Sequence, residues 1–208
     1  MIHPTLKFLV EQLNLYINTV KKVGDGIVAP VSILQNIARL DEAELKKTDN
    51  ILISLVNFAE EATMKNNLSH TISKNDMVEY KNPPVNLNLF ILITACMTNY
   101  ENALIYLSHV ITFFQGKYTF SLKNSITQIE GLPDNFHIIL DLYTLSFEQI
   151  NYLWSTLGGK QHPFVCYKVR LLQIEKESMT EIRGVIKQVR IDDPSNFWKL
   201  ELETTKPE

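Results

Sequence analysis

The sequence has very little cysteine. Only Cys96 and Cys166 occur among 208 residues, and neither belongs to a CxxC pair, which excludes a disulfide framework. Both lie within apolar, strand-like runs, where a free thiol packs as a small hydrophobe. We therefore predict two buried thiols and a reduced, cytoplasmic setting.

The sequence also lacks an excess of positive charge and a long apolar run. Its net charge is −3 and its pI is about 6.0, so no basic field would attract nucleic acid without sequence preference. The most apolar stretch, NLFILITACM, is far shorter than the roughly 20 residues that a membrane-spanning helix needs. The N-terminal segment lacks the basic start and cleavage site of a secretory signal. We predict neither nucleic acid nor membrane as a partner.

Catalytic and metal-binding motifs are missing as well. The histidines show no HxxxH or HxH spacing, and no GxSxG, GxxxxGKS or GxGxxG motif occurs. Glu60 and Glu61 are neighbours at a predicted strand end, and neighbouring strand residues point to opposite faces, which favours solvated charges over an acid–base pair. Asp141 lies within a predicted strand, where we expect it to face solvent or to discourage wrong pairing. We predict no catalytic residue, metal or cofactor, and no enzymatic activity.

Hydrophobic periodicity predicts an α+β fold in which helices pack on a mixed β-sheet. An amphipathic helix is predicted over 2–23, a second over about 99–115 and a short third over about 146–157. The order of elements is not a regular βα repeat. We expect a single domain over 1–193 and a polar C-terminal tail over 194–208. The predicted strands are IVAPVSILQNIARL (broken by Pro30), NILISLVNFAEE, PPVNLNLFILITACMT, FHIILDLYTL, FVCYKVRLLQIE and IRGVIKQVRI.

Local signals predict where the two later helices begin. Thr98 with Glu101, and Ser146 with Gln149, have the spacing of a capping box. The polar segment 64–82 is predicted to be a long surface excursion. The apolar positions predict one buried face of the second helix (Tyr100, Ala103, Leu104, Leu107, Ile111 and Phe114) and one of the third (Phe147, Ile150, Leu153, Trp154 and Leu157).

A helix-to-strand corner follows the third helix. Gly158 and Gly159 are predicted to end that helix, because glycine adopts a left-handed backbone at little cost. We expect Trp154 to anchor the corner in the core. This is a structural role and needs no nucleophile.

The ordered motifs resemble the tail-terminator, or cap, proteins of contractile injection systems. The motifs are ISLVNFAEE, KNPPVNLNLFILIT, NYENALIYLSHVITFFQ and LDLYTLSFEQINYLWSTLGGKQHPFVCYKVRLL. Such systems are phage-tail-like particles, including the Photorhabdus virulence cassettes and the antifeeding prophage. The resemblance implies a homohexameric ring at the end of the tail distal to the baseplate, which contacts the inner tube protein and the sheath protein and ends polymerisation. It supplies no catalytic residue.

The charged strand near the C-terminus is our best candidate for an assembly edge. Its charges, Arg183, Lys187 and Arg190, would hinder stray pairing and admit an acidic partner, although ordinary solvated edge strands carry such charges equally often. Glu60 and Glu61 are further interface candidates. Two alternatives stay open, namely another sheath- or baseplate-associated adaptor of the same particle, and a small-molecule enzyme.

Overall fold

The computed structural model describes residues 1–21, 32–40, 49–61, 70–72, 77–80, 84–125, 129–158, 160–174 and 181–184. These residues contain the helices α1 (Ile2–Lys21), α2 (Tyr100–Gly116) and α3 (Phe147–Thr156). They also contain the strands β1 (Ser32–Leu34), β2 (Asn50–Glu60), β3 (His70–Ile72), β4 (Met77–Tyr80), β5 (Val85–Cys96), β6 (Thr119–Ser121), β7 (His137–Leu142), β8 (Phe164–Ile174) and β9 (Glu181–Gly184). Helices and a mixed sheet occur as predicted, so the α+β class is confirmed.

The chain forms two compact units. The first comprises Met1–Glu61 and Asn86–Gln173, and the second comprises Ala62–Val85 and Ile174–Glu208. The first unit holds a six-stranded sheet with the order β1-β2-β5-β8-β7-β6, and the second holds a three-stranded sheet with the order β3-β4-β9. In the larger sheet β1 runs parallel to β2, whereas β5 runs antiparallel to β2 and β7 runs antiparallel to β6 and β8.

One face of the six-stranded sheet is covered by α1 and α2. The buried side chains of α1 recur every three or four residues, as its sequence predicts: Leu6, Leu9, Leu13 and Ile17. Phe8 of α1 packs edge-on against Phe120 of β6, with ring centroids 6.1 Å apart. Phe114 of α2 lies 4.9 Å from Tyr167 of β8. These aromatic contacts fill the core on this face.

The helix α1 is also tied to the edge of the sheet by hydrogen bonds. The Asn14 amide donates to the Ser32 carbonyl at 3.0 Å, and the Ser32 N–H donates to the Asn14 side-chain oxygen at 2.7 Å. Ser32 is buried, so these bonds satisfy backbone groups that water cannot reach. They hold the short strand β1 in place.

The opposite face of the sheet carries α3. A cluster of buried side chains joins the two: Ile37, Leu52, Leu92, Cys96 and Trp154, with Ile150, Leu153, Leu157 and Phe164 packed around them. Leu52 and Leu92 belong to this face, whereas their neighbours Ile51, Ile53, Ile91 and Ile93 are buried on the other. Over these residues β2 and β5 are therefore apolar on both faces, which is why this part of their sequences shows no alternation.

Three details of the helices differ from the predictions. Asn99, one residue after Thr98, caps α2, because its side chain accepts from the Glu101 N–H at 2.8 Å. The buried face of α2 is Ala103, Val110 and Phe114, whereas Tyr100, Leu104 and Ile111 are exposed. The apolar pattern does not predict the buried face of α2 correctly, because this helix carries apolar side chains on more than one side. In α3, Phe147 is 92% exposed.

The sheets contain three strands that the sequence did not predict. The segment 64–82, predicted to be an excursion without strands, contains β3 and β4, which pair antiparallel. The short strand β6 pairs with β7. Pro30 and the predicted boundary between 193 and 194 lie outside the described residues.

Candidate functional site

Among the described residues, the second half of β2 lies at an edge of the six-stranded sheet. β1 pairs with β2 only as far as Leu34, opposite Ile53, and one further bond runs from the Gln35 N–H to the Ile53 carbonyl. Across residues 55–60, β2 pairs with β5 on its other side, and no strand among the described residues borders it on this side. We call residues 55–60 the β2 edge.

Ser54 is the reason that β1 stops where it does. The buried Ser54 hydroxyl donates to the Gln35 carbonyl and accepts from the Ile37 N–H at 3.3 Å. These bonds turn the chain away from β2 and into a 3-10 turn, Ile37–Arg39. The following residues of β2 therefore have no strand of this segment beside them.

The β2 edge presents both backbone groups and an aromatic ring. The Glu61 N–H donates to the Asn86 carbonyl at 2.8 Å, and hydrogen-bonded pairs alternate along an antiparallel ladder. Phe58 consequently lies in a non-hydrogen-bonded pair, and its backbone N–H and C=O point away from β5. Its side chain is 57% exposed. A register shift between Leu55 and Asn57 marks a β-bulge, a feature that hinders indiscriminate pairing at edges.

A pocket of about 440 Å³ lies beside the start of the β2 edge. A strand continuing past Leu34 along β2 would place one side chain in this pocket, since strand side chains alternate between faces. An open backbone edge with a neighbouring pocket is how many sheets bind extended peptides. The pocket is lined by apolar Ile2, Leu6, Leu34, Ile53 and Leu55 and by polar His3, Gln35, Asn36 and Ser54.

The structure places two of the predicted interface residues at the end of the β2 edge. Glu60 is the last residue of β2 and is exposed. Glu61 accepts a hydrogen bond from the buried Asn88 amide at 2.8 Å. This hydrogen bond gives the Glu61 carboxylate a structural partner on β5. The role of Glu60 and Glu61 at an interface stays a prediction.

The other predicted interface residues belong to the second unit. Arg183 lies in β9, opposite Val78 of β4, and β9 is an outer strand of the three described strands. Lys187 and Arg190 lie outside the described residues. No observation tests their role.

The helix-to-strand corner can be examined at two of its three predicted residues. Trp154 is buried in the cluster between α3 and the sheet, 5.4 Å from the Phe164 ring. Gly158 follows α3 with a φ of +110°, a backbone conformation that side chains disfavour. Gly159 lies outside the described residues. The reciprocal capping box of Ser146 and Gln149 at the start of α3 is present as predicted.

Three titratable side chains that the sequence analysis singled out, Cys96, Cys166 and Asp141, lie in strands of the first unit. Cys96 and Cys166 are free and buried, as predicted, and burial raises the pKa of each thiol to about 11. Asp141 forms an ion pair with Arg170 on the neighbouring strand, and both side chains are about two-fifths exposed.

In the described part of the chain, no group of three or more potential metal ligands occurs, and no helix could cross a membrane.

Two exposed apolar surfaces were missed by the sequence analysis. The first is the outward side of α2, with Tyr100, Leu104 and Ile105, and the second is Phe147 at the start of α3. A signal for the first was present, because α2 carries no Asp, Glu, Lys or Arg after Glu101. A solvated helix face normally does carry such residues.

Comparison with protein families identifies the chain. The model of the Pvc16 N-terminal domain matches residues 5–199. The chain belongs to this family. A search of curated proteins gave no significant match.

Two solved structures share the fold of this chain. One is the PVC sheath/tube terminator of an extracellular contractile injection system in its extended state, at 15% identity and a TM-score of 0.60. The other is the tube-terminating cap of the anti-feeding prophage, at 14% identity and a TM-score of 0.61. The matches cover 92% and 90% of this chain, but only 62% and 59% of the two structures. The chain thus spans about three-fifths of their length.

Proposed function

We propose that this chain is a structural cap of a phage-tail-like contractile injection particle. It forms a ring on the distal end of the inner tube and sheath, ends their polymerisation and so fixes the length of the particle. The observation that carries this proposal is the family match over residues 5–199. The fold shared with two terminator structures supports it.

The ring in this proposal is a homohexamer closed by heterologous contacts, in which one patch of each copy meets a different patch of the next. The sheath partner supplies an extended segment that pairs with the β2 edge. Open backbone groups at Phe58 and the pocket beside Leu34 and Leu55 support this part of the proposal. The outer strand β9, with Arg183, is a second candidate edge.

The proposed role is one of assembly, without an enzymatic step. The chain is made in the cytoplasm and becomes part of the particle, with the tube protein, the sheath protein and its own copies as partners. The hydrogen bond from Asn88 to Glu61 and the ion pair of Asp141 with Arg170 support structural tasks for these carboxylates.

Deletion of the gene in cells that make the particle tests the proposal. We expect negative-stain electron microscopy to reveal tails of uncontrolled length or unstable sheaths. Particles of normal length would refute the cap function. A complete loss of tails would instead indicate a baseplate-associated adaptor.

Variants of one residue test the β2 edge. Phe58→Pro removes the outward N–H without removing a bond to β5, whereas Phe58→Ala removes the ring and keeps the N–H. If a sheath segment pairs here, complementation with Phe58→Pro should lose length control and Phe58→Ala should lose less. Asp141→Asn is a matched control on a different strand, and we expect normal particles.

A further inference from the structure

Three buried polar atoms near the end of α3 have no hydrogen-bond partner among the described residues. They are the indole nitrogen Nε1 of Trp154, the hydroxyl oxygen of Thr94 and the imidazole nitrogen Nε2 of His162. Trp154 and Thr94 are buried as whole residues, so bulk water does not solvate their polar atoms. A buried polar group without a partner destabilises a folded protein, and nearly all such groups are satisfied by protein atoms or by ordered water.

The fold brings these three residues together from different elements. The ring centroids of Trp154 and His162 are 6.1 Å apart. The Ala95 N–H donates to the Pro163 carbonyl at 2.9 Å, which holds the segment of His162 beside the end of β5. Thr94 precedes Ala95, and its side chain lies on the face of β5 that packs against α3. The three polar atoms therefore border one small region next to the cluster of Trp154.

The chemistry of the three atoms specifies what can join them. The indole N–H is only a donor, the Nε2 of a neutral imidazole accepts when the proton is on Nδ1, and a hydroxyl does both. A single partner must therefore accept from Trp154, donate to His162 and fit within a packed interior. Water meets these conditions, and a buried water typically makes about three hydrogen bonds to otherwise unsatisfied groups.

A groove beside α2 brings solvent to the imidazole of His162. Its volume is about 430 Å³, and it is lined by Tyr100, Leu104 and Leu107 of α2 and by residues 161–164. His162 is partly exposed as a residue, although its Nε2 is buried. The ring therefore lies between solvent and the buried cluster, where a change of pH can reach it.

We propose that Trp154, Thr94 and His162 hold one buried water, and that protonation of His162 breaks this bridge and loosens α3. Both nitrogens of a protonated imidazole are donors, so Nε2 can no longer accept from the water. The site then holds two fixed donors, on Trp154 and His162, and a positive charge in partly apolar surroundings. This device belongs to a single copy of the chain and does not depend on the proposed ring.

The surroundings of His162 favour its neutral form. Burial, and then the positive charge of Lys160, lower the pKa of His162 below its ordinary value of 6.5. The other titratable groups that face it are Tyr100 across the groove and Cys96 in the cluster, and the one charged residue of α3 is Glu148, exposed in its first turn. The stability from the bridge is therefore complete above pH 6.5 and is lost as the pH falls through the lowered pKa.

Nuclear magnetic resonance of the full chain, labelled with nitrogen-15, tests the bridge. The indole signal of Trp154 is the one missing from Trp154→Phe, since Trp198 is the only other tryptophan. At pH 7.5 the Trp154 indole proton should show a cross-relaxation peak to a water molecule of long residence. This peak should disappear as His162 titrates between pH 8 and pH 5. Absence of the water peak at pH 7.5 would overturn the proposal.

Hydrogen exchange of the α3 amides measures the loosening. After correction for intrinsic exchange rates, their protection at pH 5 should be about fivefold lower than at pH 7.5, which is the typical worth of one hydrogen bond. His162→Gln keeps a side-chain acceptor that does not titrate, so the water peak and the protection should persist at both pH values. His162→Phe keeps a ring without an acceptor, so both should be reduced at both pH values.

Two further variants complete the test. His137→Gln is the matched control, because it removes an exposed histidine of β7, and it should keep the pH dependence of the parent protein. Thr94→Val keeps the shape of the side chain and removes one bond to the water, so it should shorten the residence of the water. An equal fall in protection in His162→Gln and the parent would overturn the proposal. That comparison decides the matter even if His162→Phe does not fold.

Discussion

Replacing Gly158 by alanine tests whether backbone conformation alone sets the corner after α3. The φ of Gly158 is +110°, and a Cβ added there would meet no atom within 4 Å. The substitution therefore introduces conformational strain without a steric clash. Gly116, at the end of α2, is a matched control, since an added Cβ is equally free there and the residue is helical.

The two substitutions should affect the melting temperature differently. Holding a non-glycine residue in a sparsely populated region of positive φ costs about 1–3 kcal/mol. In a chain of this size each kcal/mol corresponds to roughly 2–4 °C in melting temperature. Gly158→Ala should therefore lower the melting temperature by several degrees. Gly116→Ala should leave it unchanged or raise it slightly, because alanine loses about 0.5–1 kcal/mol less than glycine on forming a helix.

Differential scanning calorimetry of the two variants beside the parent protein is the measurement. Urea titrations followed by circular dichroism should give the same order of stability. If Gly158→Ala is as stable as the parent, the corner does not depend on a glycine backbone. If both variants lose stability equally, the positive φ of Gly158 does not explain the loss, and the added Cβ is not in open space at these positions.

Two further predictions concern the core. Trp154→Ala should lower the free energy of unfolding by about 3–5 kcal/mol, because it empties the cluster between α3 and the sheet. Trp154→Phe should cost less, since it keeps an aromatic ring and removes a buried N–H that has no partner among the described residues. Chemical denaturation of both variants checks this order, and equal losses would contradict it. Burial raises the pKa of Cys96 and of Cys166 from 9.0 to about 11 in the folded protein. The stability that each protonated thiol contributes is therefore complete below pH 9 and is lost between pH 9 and 11. At pH 10 the loss is on the order of 1 kcal/mol for each thiol. The free energies of unfolding at pH 8 and pH 10 should therefore differ less in a variant with both cysteines replaced by alanine than in the parent protein. An identical pH dependence of the two proteins would contradict the raised pKa values.

The predictions that succeeded rest on short-range chemistry. The Ser146 and Gln149 side chains bond to backbone groups three residues away, so the capping box needs no tertiary context. The start of α2 was misplaced by one residue because Thr98 and Asn99 are both good caps. The Thr98 N–H instead donates to the Asp49 carboxylate, at 2.7 Å. That bond joins residues 49 positions apart, and local pattern contains no sign of it.

The candidate surfaces could be predicted only in part. Glu60 and Glu61 were placed correctly at the end of a strand, but the open β2 edge depends on Ser54, whose bonds to Gln35 and Ile37 stop β1. A groove of about 430 Å³ beside α2 forms because residues 161–164, at the start of β8, lie next to Tyr100, Leu104 and Leu107. Neither feature is encoded within one segment of the chain.

The amino-acid sequence by itself determined which segments are helices or long strands, because periodicity and capping act within a few residues. It also determined that the two thiols are buried, since both lie in strongly apolar runs. Only the tertiary structure decided which side of α2 meets the sheet and that Phe147 projects into solvent. The physical reason is that burial depends on where a neighbouring element ends, and an apolar residue beyond that point has the same sequence pattern as one inside the core.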